Sequence, residues 1–207
     1  MVTYADKQCF TPQDYLERER VAEYRSEYAN GVIIPIPEAS KEHNRITFDT
    51  SGLLWSQLEG SACEGFAQDM RVRVPQCDKY YYPDIIVVCG EPRFEDTTFD
   101  VLLNPKLIIE VLSESTERKD REEKFDCYET LESLTDYVLI SQWEPRVEHF
   151  HRLEDGVWRF IVARGREAVL SLSSIDCELR LAAIYARIVF PPIALEPSED
   201  SEANAAE

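Results

Sequence analysis

Asp84 and Glu110 each stand inside an apolar, β-rich run: Tyr82-Pro83-Asp84-Ile85-Ile86-Val87-Val88 and Leu107-Ile108-Ile109-Glu110-Val111-Leu112. An ionised carboxylate buried in such a strand is costly unless something compensates it. A buried arginine, a metal ion or a raised pKa would each do so. Pointing outward at a sheet end would avoid the cost altogether. Two carboxylates delivered by neighbouring strands also suit Mg2+, which takes one or two of them and keeps water in its other positions.

Lys124 is the third residue of interest. The spacing predicts a helix over Glu117 to Leu131, whose one side carries Asp120, Lys124, Cys127, Tyr128 and Leu131. A lysine in an apolar stripe either snorkels to water, pairs with Asp120 four residues earlier, or meets an anion at the sheet. In the last case it points where Asp84 and Glu110 converge and offsets charge on a phosphate or orients a water. His149 and His151 alternate along one strand with no third ligand nearby in the sequence, and are read as surface residues. No G-x-S-x-G elbow, Walker loop or G-x-G-x-x-G is present.

These residues need a sheet and a helix to hold them. Thr11-Pro12-Gln13-Asp14 is a cap with proline at the first helical position, opening a short helix to about Val21. Glu27 to Ile34 reads as two strands around Asn30-Gly31. A second helix fits Lys41 to Glu59, weakened by Gly52. Strands follow at Gly65 to Val74, Tyr80 to Cys89 and Lys106 to Leu112, then the helix from Glu117, then a strand at Tyr137 to Ser141. Val147 to His151, Val157 to Val162 and Ala168 to Leu172 read as a meander. A last helix carries Leu181, Ile184, Tyr185 and Ile188 and stops at Pro191-Pro192. The pattern predicts an α/β or α+β fold, a sheet with helices packed on it.

The chain of 207 residues is long enough for one domain with a sizeable core, placed at residues 11–193 behind a flexible stretch at 1–10. The acidic end, residues 194–207, has no apolar face and is expected to be disordered. A net charge of -18 argues against a protein that grips nucleic acid by bulk charge, but not against an enzyme with a local basic patch and a divalent ion. No apolar run reaches the roughly 18–20 residues of a membrane span, and no secretory signal opens the chain. Six scattered cysteines without a C-x-x-C pair are read as free thiols of a reducing cytoplasm, with Cys89 and Cys127 in the core.

Asp84, then Glu110 on the next apolar strand, then a lysine resembles the acidic core of the PD-(D/E)xK nucleases, with Pro83-Asp84 as the PD. More specific are Asn104 to Glu117 (NPKLIIEVLSESTE), Asp120-Arg121-Glu122-Glu123-Lys124-Phe125 with Tyr128 behind, Tyr24 to Gly31 (YRSEYANG), and His43. In this order they resemble the Uma-two family of restriction-type endonucleases, over roughly residues 11 to 190. The resemblance implies a restriction-endonuclease-like mixed sheet flanked by helices, with the antiparallel meander added. It implies Mg2+ or Mn2+ on Asp84 and Glu110, and Lys124 in place of the usual lysine two residues after the acid, where this chain has Leu112. Glu27 is implied near the metal, with His43, Asp120 and Ser113 in support.

The expected reaction is metal-dependent hydrolysis of DNA phosphodiester bonds in the cytoplasm. DNA would be met by Arg118, Lys119 and Arg121, with Arg71, Arg73 and Lys79 as further candidates, and a homodimer would place one site on each strand. The rival is a nuclease fold without chemistry, serving as a binding or regulatory module. The charge of -18 and the leucine at 112 favour it; the retained Asp84, Glu110 and Lys124 oppose it. A glycoside hydrolase built on a carboxylate pair fits neither the chain size nor the lysine.

Overall fold

The computed structural model describes residues 9–190. The expected acidic tail, the Pro191-Pro192 helix stop and most of the N-terminal stretch lie outside these residues. In chain order the elements are α1 (Pro12–Glu19), β1 (Ser26–Ala29), β2 (Val32–Pro35), α2 (Lys41–Leu58), β3 (Cys63–Ala67), β4 (Arg71–Val74), β5 (Lys79–Tyr81), β6 (Ile85–Cys89), β7 (Val101–Leu102) and β8 (Leu107–Val111). Then come α3 (Glu117–Lys119), a π-helical turn (Asp120–Lys124), α4 (Phe125–Tyr128), β9 (Asp136–Ile140), β10 (Arg146–Arg152), β11 (Trp158–Arg164), β12 (Val169–Leu172), β13 (Cys177–Arg180) and α5 (Leu181–Ile184).

The fold is α/β. A six-stranded mixed sheet runs β11-β10-β9-β8-β6-β3, and a five-stranded sheet runs β2-β1-β5-β4-β7. β12 and β13 form a separate antiparallel hairpin. The predicted third strand of the meander therefore leaves the large sheet. Every residue of β8 and β9 is buried, which is why they read as continuous apolar runs. Alternation along β6, β8 and β9 divides the core between two faces. Ile85, Val87, Ile109, Val111 and Val138 meet α2, the β12–β13 hairpin and α5. Ile86, Val88, Ile108, Tyr137 and Leu139 meet α4 and the five-stranded sheet. Each such aliphatic side chain contributes about 1.5–3 kcal/mol by leaving water.

Local chemistry explains the ends. Thr11 and Asp14 form a capping box ahead of α1, and Ser40 caps α2 by accepting from the His43 N–H at 3.0 Å. Asn30 and Gly31 both adopt positive φ in the β1–β2 turn, as a two-residue hairpin requires. Two predicted strands are each two. Gln68, at φ 65°, breaks residues 65–74 into β3 and β4. Pro83, which has no N–H to give a ladder, lies where residues 80–89 pass from β5 in one sheet to β6 in the other. The predicted helix over 117–131 is three short pieces with a π turn at its centre. The cysteines are also corrected. Cys63 is bonded to Cys89 and Cys77 to Cys127, while Cys9 and Cys177 are free. Cys63 and Cys89 face each other in the β3–β6 register, a proximity that spacing of 26 residues does not reveal.

Asp100 ties α1 to the five-stranded sheet. It accepts from Arg20, at 2.9 and 3.0 Å, and from buried Arg71. The Arg20 hydrogen bonds hold its carboxyl below the usual carboxylate range, outweighing burial, which pushes it up. A depressed folded pKa gives stability that is complete above the unfolded value near 3.8 and is lost as pH falls through the folded value. The acid limb of the stability curve is therefore expected to be shallower in Asp100→Asn. Urea midpoints measured from neutral pH downward check this, and parallel limbs in the two proteins would refute it.

Candidate active site

Ile85 pairs with Ile109 across the antiparallel β6–β8 ladder, so the next pair outward is Asp84 and Glu110. The Val111 N–H donates to Asp84 Oδ2 at 2.7 Å, which closes that pair. By the alternation above, both carboxylates lie on the α3–α4 face. His43, from the first turn of α2, brings Nε2 to 3.2 Å from the same Asp84 oxygen. Glu110 Oε1 accepts from Lys124 Nζ at 2.9 Å and from the Tyr128 hydroxyl at 3.2 Å. Asp84 Oδ1 and Glu110 Oε2 have no hydrogen-bond partner among the described residues.

Lys124 is buried at the end of the π turn, 3.0 Å from Asp120 Oδ1 and 3.4 Å from Glu27 Oε1 as well. Glu27 comes from β1 in the other sheet, and its second oxygen takes Lys119 Nζ at 2.5 Å. Four carboxylates, Glu27, Asp84, Glu110 and Asp120, thus meet two ammonium groups, Lys119 and Lys124. Tyr81 lies beneath them, its ring centroid 5.4 Å from Lys119 Nζ and 5.5 Å from Lys124 Nζ.

The electrostatics follow from burial and crowding. Burial pushes the Glu110 carboxyl well up, and the Asp120 and Asp84 charges push the same way against Lys124. Lys124 holds its proton more firmly than a free lysine, because Glu110, Glu27 and Asp120 outweigh its desolvation. Burial also raises Glu27, but Lys124 and Lys119 overcome it and keep that carboxyl low. Two adjoining clefts open here. One of about 290 Å3 is lined by Glu27, Asp84, Glu110, Lys119, Asp120 and Lys124. Another of about 480 Å3 holds Arg25, His43, Asn44 and Ser113, and both include Tyr82, Asp84 and Thr116.

Asp84, Glu110, Lys124, Glu27, Asp120 and His43 are therefore brought together. Ser113 is not: its hydroxyl lies 2.8 Å from that of Thr116 and makes no bond to Glu110. Most of the expected basic group is already paired. Arg71 is buried on Asp100, Arg73 is on Asp78, Lys79 on Glu123, Lys119 on Glu27, and Arg121 on Glu117 and Glu148. Arg118 is the exposed member, with Glu122 at 3.3 Å. The reading of the two histidines as surface residues is overturned. His149 is buried, and with Asp136 and His151 it forms a cluster capable of coordinating a metal ion, all three ligand atoms within 4.8 Å of one another. Sequence reasoning also passed over Tyr81 and Asp136, and gave Tyr128 and Arg25 no role of their own.

A mixed sheet whose neighbouring strands β6 and β8 deliver an aspartate and a glutamate to one cleft, with a lysine from the helix behind, is a restriction-endonuclease-like, nuclease-type fold. The chain belongs to the family described as "Uma2: Putative restriction endonuclease", which matches residues 12–183. Two proteins of Synechocystis sp. (strain ATCC 27184 / PCC 6803 / Kazusa) are similar to it. "Uncharacterized protein sll1609" is 39% identical over 84% of this chain and 98% of its own length. "Uncharacterized protein slr1290" is 32% identical over 87% of this chain and 93% of its own. The fold is also similar to a crystal structure of "a putative nuclease belonging to DUF820" from Anabaena variabilis ATCC 29413. That match has a TM-score of 0.71 at 19% identity, covering 87% of this chain and 99% of that one. Among the described residues no helix is long and apolar enough to cross a membrane.

Proposed function

We propose that this protein is a divalent-metal-dependent endonuclease that hydrolyses DNA phosphodiester bonds, with Mg2+ or Mn2+ held by Asp84 and Glu110. The observation that carries this reading is the charge imbalance at the cleft, four carboxylates against two ammonium groups. Each of the two strand-borne carboxylates has one oxygen fixed by the protein and one without a partner among the described residues. Hard oxygen donors of this kind suit Mg2+. When bound, such an ion supplies Lewis-acid polarisation of a phosphate oxygen and an acidified water.

The chain's own groups do the rest. The Val111 N–H and His43 fix the orientation of Asp84. Tyr128, kept protonated by burial, donates to Glu110. Lys124 sets a permanent positive charge beside Glu110, where charge develops on a reacting phosphate. Arg25 is an exposed cation lining one cleft, and Arg118 is exposed beside Lys119 in the sequence, so DNA binding is expected to be weak and salt-sensitive. A two-fold homodimer would address both strands.

The paired basic side chains favour a second reading, a nuclease fold that binds without cutting. Calorimetric titration of Mg2+ and Mn2+ into the wild type and Asp84→Asn/Glu110→Gln, with plasmid cleavage alongside, separates the two. Saturable binding and cleavage, both lost in the double variant, are expected. Binding without cleavage would select the silent module, and no binding even with DNA present would remove the metal site.

A further inference from the structure

We propose that Asp136, His149 and His151 form a second, separate cation site, suited to a borderline transition ion of the Zn2+ class, that fastens the β12–β13 hairpin to the central sheet. Asp136 opens β9 and pairs in register with His151 of β10, while His149 pairs with Val138. Alternation puts all three side chains on the α2 and hairpin face, opposite the acidic cleft. Asp136 is also opposite Leu107 of β8, whereas Glu110 is opposite Leu139. That offset of three residues is about 10 Å along the strands. The two clusters thus lie on opposite faces and at different heights of one sheet.

Three features point to a cation. First, the ligand atoms already converge: His149 Nε2 and His151 Nδ1 each lie 2.7 Å from Asp136 Oδ1. A tetrahedral ion with bonds of about 2.0–2.1 Å needs neighbouring ligands about 3.3 Å apart, a side-chain adjustment of about half an ångström. Second, the Asp136 carboxylate is fully buried, yet its partners among the described residues are two imidazoles and the Ser174 hydroxyl, with no lysine or arginine. A buried anion without a cation is expensive, and a divalent ion repays it. Third, two imidazoles are poor ligands for Mg2+ and good ones for Zn2+, Co2+ or Ni2+.

The surroundings complete such a site. Ser174, in the turn between β12 and β13, donates to the other Asp136 oxygen and so connects the hairpin to the ligand carboxylate. His151 is partly exposed, which gives an ion access from solvent. His149 Nδ1 has no hydrogen-bond partner among the described residues. A ligand histidine without that outer contact binds about 10–100-fold more weakly than one with it, so the site is expected to be loadable and strippable rather than permanently filled.

The test is calorimetric titration of Zn2+ into the full chain under excess Mg2+, using the wild type, His151→Gln, His149→Gln and Asp84→Asn. Thermal unfolding is followed with Zn2+ and with EDTA. One Zn2+ per chain is expected in the wild type and in Asp84→Asn, with a higher Tm when loaded. Affinity is expected to fall about 10-fold or more in each histidine variant. His151→Gln, at the partly exposed position, keeps the test open if His149→Gln fails to fold. No Zn2+ uptake by the wild type, or equal uptake in His151→Gln, would overturn the proposal. So would a loss of Tm in His151→Gln that is the same with EDTA as with Zn2+, the result given by a hydrogen-bonded trio alone.

Discussion

Lys124→Met is expected to destabilise the metal-free protein by about 3–5 kcal/mol, the cost typical of removing one partner from a buried charge cluster. Methionine fills nearly the same volume, so the loss is electrostatic rather than a cavity effect. The ammonium group lies 2.9, 3.0 and 3.4 Å from Glu110, Asp120 and Glu27. Its removal leaves three buried carboxylates with Lys119 as their remaining close cation. Two further results follow from the same cause. Divalent cations should restore part of the lost stability, and the deficit should shrink at low pH as the carboxylates take up protons. Equilibrium urea unfolding in EDTA and then in Mg2+ measures all three. A change below about 1 kcal/mol in EDTA would mean that the ammonium is as well solvated as a surface pair, and the site would lose its main electrostatic element.

Much of this arrangement is legible in the sequence because it is local. Asp84 and Glu110 stand out because a strand buried on both faces has few reasons to carry a charge. Asp120, Lys124, Cys127 and Tyr128 fall on one helical side and are all buried, although the backbone there is partly π-helical. What stays hidden is pairing over long separations. Glu27 reaches Lys119 and Lys124 from another sheet, more than 90 residues away, so the resemblance rather than periodicity located it. The partners of Arg71 and Lys79 are likewise set by sheet register and helix docking. His149 and His151 read as a surface alternation because the third member of their cluster, Asp136, sits on the neighbouring strand. Only the β9–β10 register places it opposite His151. The same holds for Cys63 and Cys89. Alternation says which residues share a face of a strand; it does not say which strand lies alongside.

Glu110→Gln is expected to leave folding intact while lowering cleavage by at least about 100-fold. Burial, with Asp120 and Asp84, raises the Glu110 carboxyl in the metal-free fold. A glutamine has the shape of the carboxyl group, and its carbonyl oxygen accepts from Lys124 and Tyr128 as Glu110 Oε1 does. A raised folded pKa means that the native state binds more protons than the unfolded chain above the ordinary glutamate value near 4.5. The contribution of Glu110 to stability is therefore complete below that value and is lost as pH rises through the folded pKa. The variant escapes this loss, so at neutral pH in EDTA it should be at least as stable as the wild type, to within about 1 kcal/mol. The anionic oxygen offered to a cation is gone, however, and metal affinity and cleavage fall together. Urea unfolding, Mg2+ titration and plasmid cleavage on one preparation check the split. A variant that folds and cuts like the wild type would take Glu110 out of the chemistry. A variant that is strongly destabilised at neutral pH would show that the carboxylate is chiefly a structural counter-ion for Lys124, with metal binding secondary to it.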